Sequence, residues 1–545
     1  MPSTLRIIPL GGLGEIGKNM IAIEYKNDII VIDAGLMFPE SDMLGINAIL
    51  PDYSYLKDKR DKVRALLLTH GHEDHVGAIP HFLEDINVPV YGTKLTIGLV
   101  EVKLREAKLL KNAQLNIIQS GDKFQIGPFK IEPFHVTHSI PDCVGFGITT
   151  PVGLIVHTGD YKFDHTPPYG EPPDFAKLAE FSKRGVLCLL ADSTNATRPG
   201  WTKSEKRVGE AFEDVFREAK GRIIVATFAS LISRVQQVAE MAQKYGRKLA
   251  ITGRSMRDNT KMARRLGFLN IPDDLLIDIE QVSNLPPHKV VVMATGSQGE
   301  PTAVMGRLAR GRHHRLRVQE GDTIVFSAYP IPGNEESVYR IINMLFRRGA
   351  NVLYEGVANV HVSGHASQEE MKLMINLVRP KFLVPVHGEL RHLKEHARLA
   401  MDMGIPEKNI AVVENGTPLE LTRHSLEIKP RLPGGYVFVD GTEVGEVVWS
   451  VMREREELAQ SGFFMALVGL SKKGNLSGTP EFVSRGFVDM KRADELLEGA
   501  KETIANVISM HGRNPDKLEK KLEDALSRYL YGETGKRPFV KVVLK

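Results

Sequence analysis

Two periodicities of apolar residues divide this chain. In its N-terminal part the apolar positions come as short runs or strict alternation, the pattern of β-strands. Leu5 to Leu10 and Asp28 to Asp33 are such runs, and Asn19-Met20-Ile21-Ala22-Ile23-Glu24-Tyr25 alternates. Ala65-Leu66-Leu67-Leu68 is predicted to be a buried strand, and Val76 to Leu83 the first turns of a helix. Between Pro89 and Pro133 short strands alternate with one helix, at about Thr96 to Leu110. After about Ser204 the texture changes. Helices over Glu205 to Ala219 and Ser233 to Tyr245 alternate with apolar strands at Arg222 to Ala226, Lys248 to Thr252, Val290 to Ala294 and Thr323 to Ser327. That alternation predicts a separate α/β domain on a parallel sheet. The first texture resumes near Tyr354 and closes near Leu421, so the α/β domain reads as an insertion. A linker with Pro430, Pro433, Gly434 and Gly435 precedes a small α+β unit. Its strands are expected near Phe463 to Leu470, Phe482 to Val488 and Phe539 to Leu544, and its helices at about Arg492 to Met510 and Pro515 to Leu530.

Candidate chemistry falls where strands stop. The loop after Leu68 reads Thr69-His70-Gly71-His72-Glu73-Asp74-His75, three histidines and two acids in one short segment. Neutral imidazole and carboxylate are the ligand types that zinc prefers, and a loop can turn alternate side chains toward two points. Asp33, His138, Asp160, Asp192 and His387 each end a predicted strand, which places them at one edge of the fold. His135 is three positions before His138, on the opposite strand face, and reads as structural; His157 reads as packing or as support for a ligand. Gly12, Gly14 and Gly17 spell GxGxxG, but the following residues alternate like a strand. A dinucleotide fingerprint must open a helix, so the glycines read either as a tight turn or as backbone lying close to the metal loop.

Composition narrows the class. The chain has 545 residues, 42% hydrophobic and 25% charged, which describes a globular protein with ample core. A net charge of +4 permits a polyanionic partner without demanding one. Two cysteines, Cys143 and Cys188, argue against a disulfide scaffold or zinc finger and fit a reducing cytosol. No signal-peptide layout is read at the N-terminus, and no apolar run approaches the ~18 residues of a membrane span. The most basic stretch, Arg307 to Arg317, reads either as a solvated cationic face or as a phosphate-contact surface.

The spacing His-x-His-x-Asp-His resembles the signature of the metallo-beta-lactamase superfamily. The insertion, with Asp192, His365 and His387 in the positions of three added motifs, resembles the beta-CASP nucleases within it. The phrases Gly11 to Asn19, Leu68 to His75, Thr137 to Asp142 and Pro385 to Glu389 are similar to the bacterial ribonuclease J family. The resemblance spans essentially the whole chain and is weakest after about residue 450. Val362 departs from it, standing in the His361-Val362-Ser363-Gly364-His365 phrase where a smaller residue is expected.

This resemblance implies an α/β architecture: a metallo-beta-lactamase αββα sandwich with an inserted beta-CASP α/β domain and a small α+β C-terminal domain. The implied boundaries are 1–204 and 354–425 for the sandwich, 205–353 for the insertion, 426–450 for a linker and 451–545 for a C-terminal oligomerisation or RNA-proximal domain. It implies two zinc ions, with manganese as an alternative. One would be held by His70, His72 and His138, the other by Asp74, His75 and His387, with Asp160 bridging and Asp33 bracing the loop. A metal-activated hydroxide would attack the phosphorus and expel the 3′ oxygen of the upstream nucleotide. Asp74 would be catalytic as well as a ligand. His365 would stabilise the phosphoryl oxygens or protonate the leaving oxygen, and Asp192 would orient a ligand or move a proton. Implied further are 5′-to-3′ exonuclease action preferring 5′-monophosphate ends, with endonuclease cutting, in RNA maturation and mRNA decay. A pocket for the terminal phosphate would use Ser230, Leu231 and Ile232 with His361, Val362, Ser363, Gly364, His365 and Ser367. Asn47 and Asp440 would be ligands of a structural calcium. Single-stranded RNA, a homodimer or homotetramer, RNA-degradation partner proteins and a cytoplasmic location complete the expectation. The rivals are a beta-CASP DNA nuclease, against which His387 speaks, and a non-catalytic RNA-binding scaffold, which would have lost ligands.

Overall fold

The computed structural model describes residues 4–40, 43–331, 333–445, 449–511 and 517–545. Its contacts divide into two units, Met1–Pro39 with Ala48–Val437, and Glu40–Asn47 with Phe438–Lys545.

The larger unit is built on two facing sheets. Period-two sequence makes them. In Met20–Tyr25, Ile21 and Ile23 point into the layer between the sheets, while Met20 and Ala22 point to the opposite face. Ile30 and Ile32 against Ile29 and Val31 repeat the arrangement in Asp28–Ile32. A sheet buried on both faces needs apolar residues at both parities, which is why these strands read as near-continuous runs. The eight-stranded sheet has the order Leu426–Ile428, Leu419–Leu421, Leu5–Gly11, Met20–Tyr25, Asp28–Ile32, Val63–Leu67, Val90–Gly92, Leu115–Ile117. The six-stranded sheet runs Phe382–Val386, Val186–Asp192, Leu154–His157, Val144–Thr149, Phe129–His135, Phe124–Ile126. Helices Ile79–Asp85 and Lys94–Glu106 cover the outer face of the first, packing Ile79, Phe82, Ile97, Val100 and Leu104. Helices Phe175–Arg184 and Gln368–Val378 cover the second with Leu178, Phe181, Met371, Met374, Ile375 and Val378. The spacing is the three-and-four pattern of a helix with one buried stripe.

The chain leaves this sandwich after Asp192 and returns to it at Phe382–Val386, which pairs in parallel with Val186–Asp192. The intervening sheet is parallel throughout, in the order Leu276–Ile277, Lys248–Thr252, Val290–Ala294, Ile223–Ala226, Thr323–Phe326, Asn351–Leu353. Its helices include Lys206–Glu218 and Ile232–Lys244, and also Arg254–Leu266 and Glu335–Phe346, which the sequence reading does not anticipate.

In the smaller unit Phe463–Val468 pairs antiparallel with Glu481–Arg485 and parallel with Phe539–Leu544. Phe464, Ala466 and Val468 alternate inward onto helices Asp494–His511 and Leu518–Thr534, meeting Ile504, Ile508, Leu522 and Leu526. The expected helix start at Pro515 lies outside the described residues. Helix Trp449–Ser461 begins where the sequence reads as linker. Among the described residues no helix is long and apolar enough to cross a membrane.

Candidate metal centre

Parallel pairing assembles the site. Asp28–Ile32 lies beside Val63–Leu67 with Ile32 opposite Leu67, so Asp33 and the His70 loop leave one sheet at the same edge. Leu154–His157, Val186–Asp192 and Phe382–Val386 are also mutually parallel, with Asp192 opposite Val386. Asp160, Asp192 and His387 therefore leave the other sheet together. Asp33 and His387 both turn in left-handed backbone, at φ 60° and φ 52°. Non-glycine residues rarely adopt that conformation, and it tends to gather at functional sites.

Nε2 of His70 lies 2.9 Å from Nδ1 of His72, which lies 3.1 Å from Nε2 of His138. Burial, with the positive charge of neighbouring histidines, holds His70 and His138 well below the ordinary imidazole range, and burial brings His72 down to about 4. Three neutral imidazoles thus aim lone pairs at one point. Their outer nitrogens are engaged: Nδ1 of His138 donates to the Gly364 carbonyl at 2.7 Å, and Nδ1 of His70 lies 3.1 Å from the Thr69 hydroxyl. Such outer partners set which nitrogen faces a metal.

Beside this triplet stand Asp74, His75, Asp160 and His387, whose donor atoms also converge. Nε2 of His75 is 3.5 Å from Asp74 Oδ2 and 3.2 Å from Asp160 Oδ2. The same Asp160 oxygen is 3.7 Å from Nε2 of His70 and 3.8 Å from Nε2 of His138, so it faces both groups. Nε2 of His387 is buried without a hydrogen-bond partner among the described residues, although Asp74 Oδ2 lies 3.4 Å away. An orphaned buried nitrogen aimed at a carboxylate is what a cation would satisfy. Burial alone would push His75 and His387 down. The charges of Asp160 and Asp74 on His75, and of Asp160 on His387, outweigh it, raising His75 well above its usual range and His387 to about 10. Asp33 braces the loop: Oδ1 accepts the Thr69 N–H at 2.8 Å, and Oδ2 lies 2.8 Å from both the Thr69 hydroxyl and His75 Nδ1.

Asp192 is fully buried, and its Oδ2 lies 2.8 Å from Nδ1 of His365. Oδ1 of Asp192 accepts from the backbone N–H and hydroxyl of Thr194, at 2.9 and 2.8 Å. Asp160, Asp192, His365 and His387 also have donors close enough for a cation. The hydrogen bonds on Asp192 instead make it the orienting partner of His365.

The residues expected around a phosphate are spread along one junction. Ser363 Oγ accepts from Asn195 Nδ2 at 2.8 Å, Gly364 carries the His138 contact, and Val362 is buried. Ser367 caps helix Gln368–Val378 in a capping box with Glu370. His361 has a buried Nδ1 without a partner, and its ring meets Tyr329 edge-on at 4.7 Å. Ser230 and the buried Leu231 and Ile232 lead into helix Ile232–Lys244, whose Ser233 donates to the Ser139 carbonyl at 2.9 Å, next to His138. The two residues expected to hold calcium each have a protein partner. Asp440 pairs with Arg455 at 2.5 Å, and Asn47 Oδ1 accepts the Gly441 N–H at 2.6 Å. These contacts are an ion pair and a loop hydrogen bond. His135 bonds the Glu171 carbonyl, and His157 accepts the Gly159 N–H, so neither joins the cluster. In the basic stretch Arg315 pairs with Glu280, and Arg310 bonds the Gly306 carbonyl.

The glycine loop adjoins the centre. Leu13–Gly14 pairs with Gly388–Glu389, directly after His387, and the Asn19 backbone N–H donates to the Asp74 carbonyl at 2.9 Å. Sequence reasoning missed three supports of the His365 loop. Asn195 Nδ2 and the Thr202 hydroxyl donate to the His365 carbonyl at 3.0 and 2.7 Å. The buried Glu370 carboxylate accepts N–H bonds from Phe163, Thr202 and Ser367 at 2.7 to 2.8 Å. Only the Ser367-x-x-Glu370 spacing signals any of them.

Known families match this chain along most of its length. Residues 13–200 match the family described as metallo-beta-lactamase superfamily, and 349–412 match the Zn-dependent metallo-hydrolase RNA specificity domain. Residues 220–345 match the ribonuclease J beta-CASP domain and 450–545 the ribonuclease J C-terminal domain. Ribonuclease J 1 of Streptococcus pyogenes is 42% identical over 545 residues, covering 99% of this chain and 97% of that one. The chain belongs to the ribonuclease J family. Ribonuclease J of Synechocystis is 43% identical, over 99% of this chain and 86% of the relative. A solved structure of a protein of unknown function from Enterococcus faecalis, 17% identical, covers 77% of this chain and 100% of its own at a TM-score of 0.55, which shows the fold alone. As a ribonuclease J family member, the chain is a metal-dependent nuclease whose His/Asp cluster is able to hold metal.

Proposed function

We propose that this protein hydrolyses RNA phosphodiester bonds at a two-zinc centre, as a 5′-to-3′ exonuclease preferring 5′-monophosphate ends with endonuclease activity besides. The observation that carries the reading is the single oxygen, Asp160 Oδ2, facing both donor groups with His365 alongside. His70, His72 and His138 would hold one ion, and Asp74, His75 and His387 the other, with Asp160 between. Bound zinc supplies Lewis acidity and lowers the pKa of water. The chain supplies the rest. Asp74 and Asp160 are held ionised: burial opposes this, but the histidine charges beside them outweigh it. Nδ1 of His365 donates to Asp192, which leaves Nε2–H as the free donor. Burial disfavours that proton, and the charges of Asp192 and Asp160 more than restore it. His365 then donates to the 3′ oxygen as it leaves phosphorus. The relatives' names and the RNA specificity domain favour RNA over DNA. Assembly into a homo-oligomer, contact with other RNA-degrading proteins and a cytosolic location belong to the same reading.

The test is a comparison of one sequence as 5′-monophosphate RNA, 5′-hydroxyl RNA and DNA, with products sized over time. The monophosphate RNA is expected to disappear fastest, in single-nucleotide steps. Equal rates for both RNA ends would remove the terminal-phosphate preference, and faster hydrolysis of DNA would overturn the substrate. His72→Ala and Asp74→Ala are each expected to lose cleavage while still binding RNA; full hydrolysis by either would overturn the site.

A further inference from the structure

Beyond the metal centre, the segment Arg198 to Arg207 combines features that the reading above leaves unused. It carries Arg198, Lys203, Lys206 and Arg207, all exposed, and its single acid, Glu205, is buried against Arg234. Lys203, Lys206 and Arg207 make no ion pair among the described residues. Between them stands Trp201, 51% exposed, a large apolar ring left in water. The His165 ring lies 6.0 Å away, tilted 46° to it, and is itself stacked on Phe175.

The ring is exposed but its backbone is clamped. The Arg198 carbonyl accepts the Gln368 N–H at 3.0 Å and the Gly200 carbonyl accepts the Glu369 N–H at 3.1 Å. Glu370 accepts the Thr202 N–H at 2.7 Å, and the Thr202 hydroxyl donates to the His365 carbonyl at 2.7 Å. Trp201 is therefore one residue from a direct contact with the catalytic loop. At the other end the Arg198 guanidinium lies 5.2 Å from the centre of the Tyr329 ring, whose edge meets His361, the first residue of that loop.

We propose that Trp201, flanked by Arg198, Lys203, Lys206 and Arg207, is a stacking platform for a base of single-stranded RNA running beside the His361 to Ser367 loop. An exposed indole on a clamped backbone offers a π-face to any base, and Lys203, Lys206 and Arg207, which follow it in the chain, are free to take phosphates. A protein partner would be served less well by a segment whose exposed side chains are mostly cations around one aromatic ring. The inference rests on the ribonuclease reading and adds a residue-level path for the strand.

The chain has two tryptophans, so Trp449→Phe leaves Trp201 as the sole reporter. The full-length, metal-loaded protein would be titrated with phosphorothioate RNA that resists cleavage. Trp201 emission is expected to be quenched in step with binding. Trp201→Ala should weaken binding about tenfold, while Trp201→Phe should stay within about twofold of the parent. Reversing Lys203, Lys206 and Arg207 to glutamate should flatten the slope of log affinity against log salt by roughly two. Reversal of Lys130, exposed on the strand Phe129–His135, should leave it unchanged. Unquenched emission, or unaltered affinity in Trp201→Ala and an unaltered slope in the charge reversals, overturns the platform. In a protein that still hydrolyses RNA that result leaves the ribonuclease reading standing. A parent protein that neither binds nor cuts RNA overturns both.

Discussion

Gly364 has no side chain because the His138 imidazole occupies the space where one would be. A Cβ there would stand 2.5 Å from Cε1 and Nδ1 of His138 and 2.9 Å from the Ser139 nitrogen. The same glycine's carbonyl fixes the His138 tautomer. Gly364→Ala must therefore push the His138 ring or break the bond that orients it. Losing an outer partner of a ligand costs about 10- to 100-fold in metal affinity. Gly364→Ala is expected to lose zinc affinity in that range, read by competition with a chelator, with activity falling in proportion and far-ultraviolet circular dichroism unchanged. Wild-type affinity would mean that the loop relaxes freely. The histidines that cluster in the candidate centre were legible from residue chemistry at strand ends. The need for glycine at 364 was not, because its clash is with a residue more than two hundred positions away.

At the scale of elements, one buried guanidinium joins the inserted domain to both of its connections. Arg234, fully buried on helix Ile232–Lys244, donates to Glu205 Oε2 at 2.8 Å, where the chain enters the domain. It donates to the Val360 carbonyl at 2.8 Å, where the chain leaves, and to the Ser327 hydroxyl. Glu205→Ala would strand that charge, and breaking one partner of a buried pair costs about 3–5 kcal/mol. Urea unfolding should show a loss of that order, and Arg234→Met added to it should recover part, since the unpaired charge is then gone. Losses that simply add would show that the two side chains do not act as a pair. The uninterrupted apolar strands Lys248–Thr252 and Val290–Ala294 were legible to the residue, and the single-stripe helices Lys206–Glu218 and Ile232–Lys244 to within one residue at each end. Arg254–Leu266 escaped because five of its thirteen residues are arginine or lysine beside scattered Met and Thr, which reads as loop. Asn195, Thr202 and Glu370 escaped for another reason. They are polar residues whose partners lie on other elements, and no local period records such pairings.

For the molecule as a whole, the centre couples folding, protons and metal. Without a cation, protons on His75 and His387 answer the charges of Asp74 and Asp160. A raised histidine contributes stability that is complete below its unfolded pKa of about 6.5. That contribution fades as pH rises toward the folded value of about 10 for His387. The depressed carboxylates add stability above their unfolded pKa of about 4, lost as pH falls. The depressed imidazoles of His70, His72 and His138 cost stability as pH falls below about 6.5, so the metal-free protein is expected to be most stable near pH 6.5 as far as this site decides it, and to lose melting temperature from pH 6.5 to 10. Metal must displace those same protons, because a protonated imidazole has no lone pair to give. Zinc binding at pH 7 is then expected to release about two protons per site pair, read by calorimetry in buffers of different ionisation enthalpy. Metal affinity should rise with pH across the range in which the metal-free protein loses stability. The gap in melting temperature between metal-loaded and chelated protein should therefore widen from pH 6.5 to 9. A constant gap, with no proton release, would mean that His75 and His387 are already neutral before metal arrives, and that Asp74 and Asp160 are balanced by some other charge.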